Sequence, residues 1–467
     1  MHMRKVCVLI GQILLAIGLL TASAATRPNI IFVLTDDFGW GDLGSYGGNF
    51  VPTPNMDRMA DEGLRFSQFY VASPICSPSR VGCLTGMFPG RWQITSFLHE
   101  RRANAACEQA DFLDPAAPSV ARILKSGGYA TGHFGKWHMG GGRDVTNAPH
   151  ISEYGFDEWA STYESRDPDP NITATQWIWS PKDKVKRWDR TRYFVDKALD
   201  FLKRHPDQPC FVNIWPDDTH TPYVPGPDLA AKYGAGKNYN AEANFKAVLE
   251  EYDRQMGRLL DGIKQMGIAT NTLVVFCGDN GPLPTYNQRR TGGLRGSKLS
   301  LYEGGNREPL LVWWPGHAPA GKLNEQTVIN AVDLLPTFCK IGGVTVPGNV
   351  ASKLDGEDLS EAFAGGAPIR HKPLFWEYGR NEKSFNYPPQ KRNRSPNVAV
   401  REGDWKLLIN ADGSGAELYN LATDRDETNN LATAQSDLTK RLSTMALNWR
   451  RSLPSTLHQK SGAAVKD

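Results

Sequence analysis

The sequence has few cysteines, and their positions exclude two common ways of stabilising a chain. Seven cysteines are scattered over 467 residues. Their spacing matches no zinc-binding pattern, and they are too sparse for a disulfide framework. The chain must therefore be stabilised by a hydrophobic core, and an apolar content of 40% with 13 tryptophans is sufficient for one.

An excess of charge of one sign is also missing. Lysine and arginine together number 53, against 50 aspartate and glutamate residues. The chain as a whole therefore has no field that attracts nucleic acid, and we expect no nucleic-acid partner. Any anionic ligand has to be bound by a local cluster of cations.

Long apolar runs are absent beyond the N-terminus. Arg4 and Lys5 precede an apolar run from Val6 to Leu20, and the small residues 22–24 offer a cleavage site, so residues 1–25 have the layout of a secretory signal peptide. An uncleaved anchor is the alternative, but a run of about 15 apolar residues is shorter than the roughly 20 that a membrane span needs. We expect export to the periplasm, cell surface or extracellular space (a lysosomal or secretory compartment in a eukaryote), with no membrane span after cleavage.

Several apolar runs have the composition of buried strands, and each ends in polar residues or a turn. These runs are residues 30–35, 129–134, 211–215, 272–277 and 310–314. Continuous apolar strands are typical of a sheet that is covered on both faces. Segments with helical spacing alternate with them, the longest from Ala243 to Met266. The pattern predicts an α/β fold in which a large mixed sheet is sandwiched by helices.

The pattern of predicted elements changes after about residue 355, from alternating strands and helices to short strands. Residues 365–368 resemble a linker, and short strands are predicted within 373–378, 397–409 and 417–421, followed by a helix over 438–451. We therefore predict a catalytic domain over 26–365, a small C-terminal α+β subdomain with a short antiparallel sheet over 366–455, and a tail over 456–467.

One motif joins a cysteine to the start of a predicted helix, the run Cys76-Ser77-Pro78-Ser79-Arg80. Its serines are suited to cap free backbone N–H groups, and its proline fits a first helical turn. The positive end of the helix dipole and the Arg80 guanidinium together suit an oxyanion. From these residues alone, a structural cysteine in a tight turn remains an alternative.

Two pairs of oxygen-bearing side chains follow two of the predicted strands: Asp36 with Asp37, and Asp279 with Asn280. Ligands of open α/β sheets bind beyond the carboxyl ends of the strands, so we expect the pairs to converge. Three carboxylates and an amide oxygen favour Ca²⁺, with Mg²⁺ as the alternative. Either pair alone is better explained as a loop start or a helix cap.

Basic residues complete the predicted pocket. Arg80, Lys136 and Lys298 are suited to neutralise an anion beside the metal. His138 and His220 titrate near neutral pH and are therefore available for proton transfer. His220 and Lys298 are each weak evidence when taken singly.

The sequence resembles the type I sulfatases, which are the formylglycine-dependent members of the alkaline phosphatase superfamily. The matching motifs cover most of the chain: Asp36-Asp37, Gly39 to Leu43, Thr53 to Asp57, Cys76 to Arg80, Leu84 to Gly86, Gly135 to His138, Gly278 to Gly281, Gly296 to Lys298, Glu303 to Gly305, Gly403 to Leu407 and Glu417 to Leu421. The arylsulfatase A-like and N-acetylgalactosamine-6-sulfatase-like members are the most similar. The resemblance implies the alkaline phosphatase-like form of the sheet sandwich.

The resemblance also implies the chemistry of the site. Cys76 would be oxidised to formylglycine by a maturing enzyme that recognises Ser77 to Arg80. The modified residue 76 would hold Ca²⁺ together with Asp36, Asp37, Asp279 and Asn280. The catalytic residues would be residue 76, Arg80, Lys136, His138, His220 and Lys298.

Each hydroxyl of the aldehyde hydrate would then have its own step. One hydroxyl would attack sulfur. The other would lose its proton, so that the aldehyde forms again and sulfate is released. A thiolate would instead form a stable thiosulfate ester, and the reaction would stop there. By resemblance, Asp37 is the base for the attacking hydroxyl. The resemblance also implies that His220 and Lys298 lie on the side of the leaving alcohol, and that His138 is the partner for proton transfer in the step that releases sulfate.

The expected activity is exo-acting removal of a 4- or 6-O-sulfate from galactose or N-acetylgalactosamine in glycans. A phosphatase or phosphonate monoester hydrolase of the same superfamily, a sulfatase for another sugar or an aryl sulfate, and a non-enzymatic exported binding protein are the alternatives. A thiol phosphatase is excluded because Arg80 follows Cys76 too closely for the C-x5-R loop. Expected sugar contacts are His99, Glu100, Arg101, Arg102, Trp177 and Trp179.

Overall fold

The computed structural model describes residues 27–175 and 177–454. The predicted signal peptide and the tail over 456–467 lie outside the described residues, so both stay predictions. Within the described part of the chain, no helix is long and apolar enough to cross a membrane.

A large mixed sheet forms the centre of the molecule. Its strands are β1 Asn29–Thr35, β2 Leu64–Tyr70, β3 Ala130–Gly135, β4 Glu158–Ser161, β5 Cys210–Trp215, β6 Thr272–Gly278, β7 Arg307–Trp313, β8 Lys322–Asn324 and β9 Ile329–Asn330. The spatial order is β4-β3-β5-β1-β6-β7-β2-β8, and β9 also pairs with β2. Strands β4, β3, β5, β1 and β6 are mutually parallel, whereas β7 runs antiparallel to both β6 and β2. The carboxyl ends of β1, β3, β5 and β6 therefore meet at one edge.

Helices cover both faces of this sheet. The helices of the described chain are α1 Pro54–Asp61, α2 Cys76–Thr85, α3 Arg101–Ala106, α4 Val120–Ser126, α5 Arg190–Arg204, α6 Pro227–Tyr233, α7 Glu242–Gln265, α8 Glu303–Asn306, α9 Leu334–Ile341, α10 Gly348–Ala351, α11 Ser360–Phe363 and, in the C-terminal region, α12 Ser436–Ser452. Alternate residues of β1 enter opposite cores: Ile30 packs with α2, α4 and α9, and Ile31 packs with α1, α5 and α7. The predicted sandwich is confirmed, because a strand buried on both sides needs apolar residues at every position.

The C-terminal region forms a second, antiparallel sheet. Its strands are β10 Leu374–Glu377, β11 Val398–Glu402, β12 Trp405–Ile409 and β13 Glu417–Asn420, in that spatial order. The β structure predicted over 397–409 is a hairpin, because Gly403 has a φ of 57° and turns the chain. Helix α12 covers the sheet, and Trp449 stacks on Phe375 with ring centroids 4.9 Å apart. The predicted α+β subdomain is confirmed.

The two sheets share one continuous apolar core. Polar contacts join them as well: the buried Lys406 ammonium lies 2.8 Å from Glu303 and 3.0 Å from Glu427. The Arg295 guanidinium donates to the Tyr419 hydroxyl at 2.9 Å. The segment from Arg295 to Glu303 is therefore held from the side of the small sheet. A domain boundary near residue 365 stays a prediction.

Candidate active site

Two pairs of polar residues leave adjacent parallel strands side by side. Thr35 of β1 is in register with Gly278 of β6, so the residues that follow them are neighbours. The Asp37 backbone N–H donates to Asp279 Oδ1 at 3.1 Å, and Asn280 Nδ2 donates to Asp37 Oδ1 at 2.7 Å. Asp37 has a φ of 53°, a conformation that residues other than glycine rarely adopt. These bonds bring both pairs together at the sheet edge.

The oxygen atoms of this cluster fit a hard cation. Asp36 Oδ1 and Asn280 Oδ1 are buried without a hydrogen-bond partner among the described residues. Carboxylate oxygens of Asp36 and Asp37 lie within 4.8 Å of each other and of a ring nitrogen of His220. Burial, followed by the charge of Asp36, raises the pKa of Asp279 to about 7. A divalent cation bound by oxygen atoms would satisfy these groups.

Helix α2 begins at Cys76 and points its N-terminus at the cluster. The predicted serine capping is wrong: the N-cap is Ile75, and no side chain caps the helix. The Ser77 hydroxyl instead accepts a hydrogen bond from the Leu98 backbone N–H at 2.9 Å, which fixes the neighbouring loop. Gly82 allows the helix to lie close to the segment that follows β2, because a Cβ there would come within 2.4 Å of the Ala72 Cβ.

The Cys76 thiol is buried among these groups. Burial raises the pKa of the thiol to about 11, although Lys136 and Lys298 act in the opposite direction. At neutral pH the side chain is therefore an uncharged thiol, and the thiolate is the nucleophilic form of cysteine. Chemistry that depends on an unmodified Cys76 thiolate is disfavoured.

Three cations each pair with one of the three carboxylates. Arg80 Nε and Nη2 lie 3.0 and 2.6 Å from Asp279 Oδ2. Lys136 Nζ donates to Asp36 Oδ2 at 2.7 Å. Lys298 Nζ donates to Asp37 Oδ2 at 2.8 Å. Burial alone would raise the pKa of Asp36 and of Asp37, but the surrounding cations outweigh it and hold both below the ordinary value.

Both predicted histidines lie at this edge as neutral rings. His138 Nε2 lies 3.0 Å from the Leu98 carbonyl oxygen, and burial lowers the pKa of His138 to about 3. His220 Nδ1 lies 2.6 Å from the Thr221 carbonyl oxygen, which leaves Nε2 as an acceptor 3.7 Å from Asp37 Oδ2. Burial also lowers the pKa of His220. The structure thus brings all the predicted catalytic and metal-site residues together.

Two buried charged residues at the site were not predicted. Glu164 follows β4 and contacts Lys136 and His138. Arg290 donates to the Asp37 carbonyl oxygen at 2.6 Å and pairs with Asp42 at 2.7 Å. The sequence signal for Glu164 is weak, since β4 (Glu158–Ser161) is short and polar and does not read as a buried strand.

The residues expected to contact sugar differ in their placement. The Arg101 guanidinium is bound to Asp111 at 2.7 Å, a contact within the protein. Trp177 is 59% exposed and packs on Tyr163 with ring centroids 6.0 Å apart. The Tyr163 hydroxyl donates to Glu164, which contacts His138. Trp177 is therefore connected to the site through two adjoining side chains.

The other expected sugar contacts lie close by or at the surface. His99 directly follows Leu98, whose carbonyl touches His138, and its ring lies 5.6 Å from that of Phe97. Glu100 and Arg102 are exposed, and Trp179 packs against Tyr239 at 5.6 Å. None of these contacts by itself identifies a ligand.

The comparisons with known proteins all indicate the same family. A family model described as "Sulfatase" matches residues 28–344, and one described as "N-sulphoglucosamine sulphohydrolase, C-terminal" matches residues 297–450. The chain is 34% identical over 397 residues to N-acetylgalactosamine-6-sulfatase of Canis lupus familiaris, which covers 79% of this chain and 72% of the relative. It is 32% identical over 433 residues to arylsulfatase A of Homo sapiens, with coverages of 86% and 78%.

Solved structures agree with this fold. One described as Ps i-CgsB in complex with k-i-k-neocarrahexaose has a TM-score of 0.74 at 26% identity, covering 93% of this chain and 96% of that one. A phosphonate monoester hydrolase of Agrobacterium radiobacter has a TM-score of 0.62 at 20% identity, with coverages of 91% and 96%. The second likeness concerns the fold alone.

The buried histidines predict loss of stability in acid. Burial lowers the pKa of His133 to about 3, as it does for His138. The unfolded chain binds these protons near pH 6.5, so the free energy of unfolding should fall as the pH drops from about 6.5 towards 3, by about 1.4 kcal/mol per pH unit and histidine. In urea unfolding at pH 7, 6 and 5, the free energy of unfolding of His133→Gln should fall less steeply than that of wild type, by about half of that amount between pH 7 and 6 and by nearly all of it between pH 6 and 5. The exposed His371→Gln is the control, and equal slopes for His133→Gln and wild type would contradict the prediction.

Proposed function

The chain belongs to the sulfatase family and is a sulfuric ester hydrolase, and from this premise we propose that it removes sulfate from sulfated galactose or N-acetylgalactosamine in glycans. The relatives named N-acetylgalactosamine-6-sulfatase support this substrate class. Exo-acting removal of a 4- or 6-O-sulfate is the specific form of the proposal. The observation that carries sulfate-ester hydrolysis at this site is the group of three cations and three carboxylates around Cys76 at the start of α2, whereas the sugar rests on the named relatives.

We assign the nucleophile to residue 76 in its formylglycine form. The buried, uncharged thiol is a poor nucleophile as it stands, whereas a formylglycine hydrate would supply a hydroxyl nucleophile and a second hydroxyl for release of sulfate. Ser77, Ser79 and Arg80 are fully buried in the folded chain. A maturing enzyme that recognises this segment must therefore act before the chain folds.

We assign a Ca²⁺ site to Asp36, Asp37, Asp279 and Asn280 together with the modified residue 76. The donor set consists of oxygen atoms, and two of them are buried without partners among the described residues. When bound, the ion would polarise the sulfate and lower the pKa of a hydroxyl beside it. Mg²⁺ is the alternative cation.

The remaining residues of the site have separable roles. Arg80, Lys136 and Lys298 bring three positive charges to the mouth of α2 and would hold and orient the sulfate group. Asp37 would take the proton of the attacking hydroxyl, and His220, whose Nε2 lies 3.7 Å from Asp37 Oδ2, would protonate the leaving alcohol. Lys298 lies on the same side through its contact with Asp37. His138 would accept a proton in the release step.

Phosphate and phosphonate esters are the second candidate substrates, because the same three cations could hold a phosphoryl group as well as a sulfate. Export to the periplasm, cell surface or extracellular space, or to a lysosome in a eukaryote, is proposed from the N-terminal sequence. The partners would be the sulfated carbohydrate and the maturing enzyme.

The first test concerns residue 76. Mass spectrometry of the tryptic peptide that contains it should show an aldehyde in place of the thiol in active protein. Cys76→Ala should lower turnover of an aryl sulfate by about 10³-fold or more, as expected when a nucleophile is removed. Cys339→Ala, at a buried cysteine outside the site, is the control. Full activity with an unmodified thiol, or faster turnover of the matching aryl phosphate by verified formylglycine protein, would contradict the assignment.

Calcium binding can be tested separately. Titration calorimetry on chelator-treated protein should show one Ca²⁺ site, and turnover should return when Ca²⁺ is added. Asn280→Ala should weaken Ca²⁺ binding by about tenfold or more, a change of about 1.4 kcal/mol. Asn448→Ala, on α12 and outside the cluster, should bind like wild type. Equal affinities for Asn280→Ala and wild type would remove Asn280 from the ligand set.

Substrate class can be tested with a panel of regio-defined sulfated sugars. We expect turnover of 4- or 6-O-sulfated galactose or N-acetylgalactosamine. Trp177→Ala should raise KM for the sulfated sugar by about 2- to 12-fold, the equivalent of one aromatic contact of about 0.5–1.5 kcal/mol. KM for a small aryl sulfate is the internal control and should not change. Activity confined to glucosamine or uronic acid sulfates would refute the substrate assignment.

A further inference from the structure

Glu164 is a buried carboxylate that the proposed reaction does not yet use. It is 7% exposed and lies just beyond the end of β4, at the same sheet edge as the catalytic residues. Its Oε1 lies 3.3 Å from His138 Nε2, and its Oε2 lies 3.6 Å from Lys136 Nζ. The Tyr163 hydroxyl donates to Oε1 at 3.0 Å. One carboxylate thus touches two of the residues that we assign to catalysis.

The surroundings of His138 Nε2 determine which ring nitrogen carries the proton. The Leu98 carbonyl oxygen lies 3.0 Å from Nε2, and a carbonyl can only accept a hydrogen bond. The second neighbour, Glu164, is ionised: burial alone would raise its pKa, but the Lys136 ammonium at 3.6 Å and the Arg143 guanidinium at 3.7 Å act in the opposite direction and hold the pKa of Glu164 below its ordinary value. Both neighbours of Nε2 are therefore acceptors, and the neutral ring satisfies them only with its proton on Nε2.

The other ring nitrogen is then left as an acceptor. His138 Nδ1 is buried and has no hydrogen-bond partner among the described residues. Its lone pair is free to take a proton from a group that enters the site. The backbone also holds His138 beside Glu164. The His138 backbone N–H donates to the Glu164 carbonyl oxygen at 3.0 Å, and His138 has a φ of 53°.

We propose that Glu164 is a positioning residue that holds His138 in the tautomer with the proton on Nε2, so that Nδ1 is the proton acceptor of the site. This inference rests on the proposed function for its catalytic meaning, although the tautomer is a property of the folded chain. The carboxylate also helps to position the Lys136 ammonium, which forms ion pairs with both Glu164 and Asp36. An orienting carboxylate of this kind sets both the ring orientation and the tautomer of a histidine.

The role of Glu164 differs from that of a residue needed only for folding. A structural carboxylate would change stability and leave turnover of the folded enzyme intact. A positioning carboxylate changes the chemical step and leaves substrate binding largely intact. We therefore expect Glu164→Gln to lower kcat by about 10- to 100-fold with little change in KM. Leu98 still accepts from Nε2 in this variant, which limits the loss.

The kinetic test compares three variants in the mature enzyme with an aryl sulfate as substrate. Glu164→Asp, which restores a carboxylate, should recover part of the kcat that Glu164→Gln loses. Glu153→Gln removes an exposed carboxylate outside the site and should behave like wild type. A kcat for Glu164→Gln within twofold of wild type would overturn the proposal, and so would a loss confined to KM.

A direct measurement of the tautomer does not depend on activity. Proton–nitrogen correlation spectra of protein labelled with ¹⁵N-histidine distinguish the two neutral forms, and the His138 signals are those missing from His138→Asn. Wild type should show Nε2 protonated, and Glu164→Gln should show a mixture. A proton on Nδ1 in wild type would overturn the inference even if Glu164→Gln failed to fold. Protein without sulfatase activity but with Nε2 protonated would contradict the proposed function alone.

Discussion

The carboxylates of Asp36, Asp37 and Asp279 are removed from water at the ends of two neighbouring strands, and ionised groups remain buried only when they are paired. Their partners come from three distant parts of the chain: Arg80 from α2, Lys136 from the end of β3, and Lys298 from the loop before α8. The charge balance thereby holds the helix that carries Cys76 against the sheet. The site and the fold around it depend on the same ion pairs.

Much of this arrangement could be predicted from the sequence, because it follows from the ends of parallel strands. Continuous apolar runs marked β1 and β6, and their shared direction placed Asp36 and Asp279 at one edge. The oxygen donor set itself favoured calcium, whereas the formylglycine and the separate catalytic roles came from resemblance to a family. Composition and spacing contain no information about a modification of Cys76, and those assignments stay predictions.

Three features of the site were predicted wrongly or not at all, and each has a physical reason. Serine capping of α2 failed because the backbone places Ile75 at the N-cap and directs Ser77 to the loop at Leu98. Glu164 was missed because β4 pairs at the edge of the sheet and needs no apolar run. Arg290 reaches Asp37 from a short, kinked 3₁₀ segment, Tyr286–Thr291, and no periodic pattern in the sequence marks such a contact.

The contacts between the two sheets have a consequence for the order of events during synthesis. The segment from Arg295 to Glu303, which includes Lys298, is held by Lys406 and Tyr419 of the small sheet. The pocket around residue 76 is therefore complete only when the small sheet, in the last quarter of the chain, is folded and packed against it. We expect the segment that follows Cys76 to be accessible to other proteins for as long as that part of the chain is still being made.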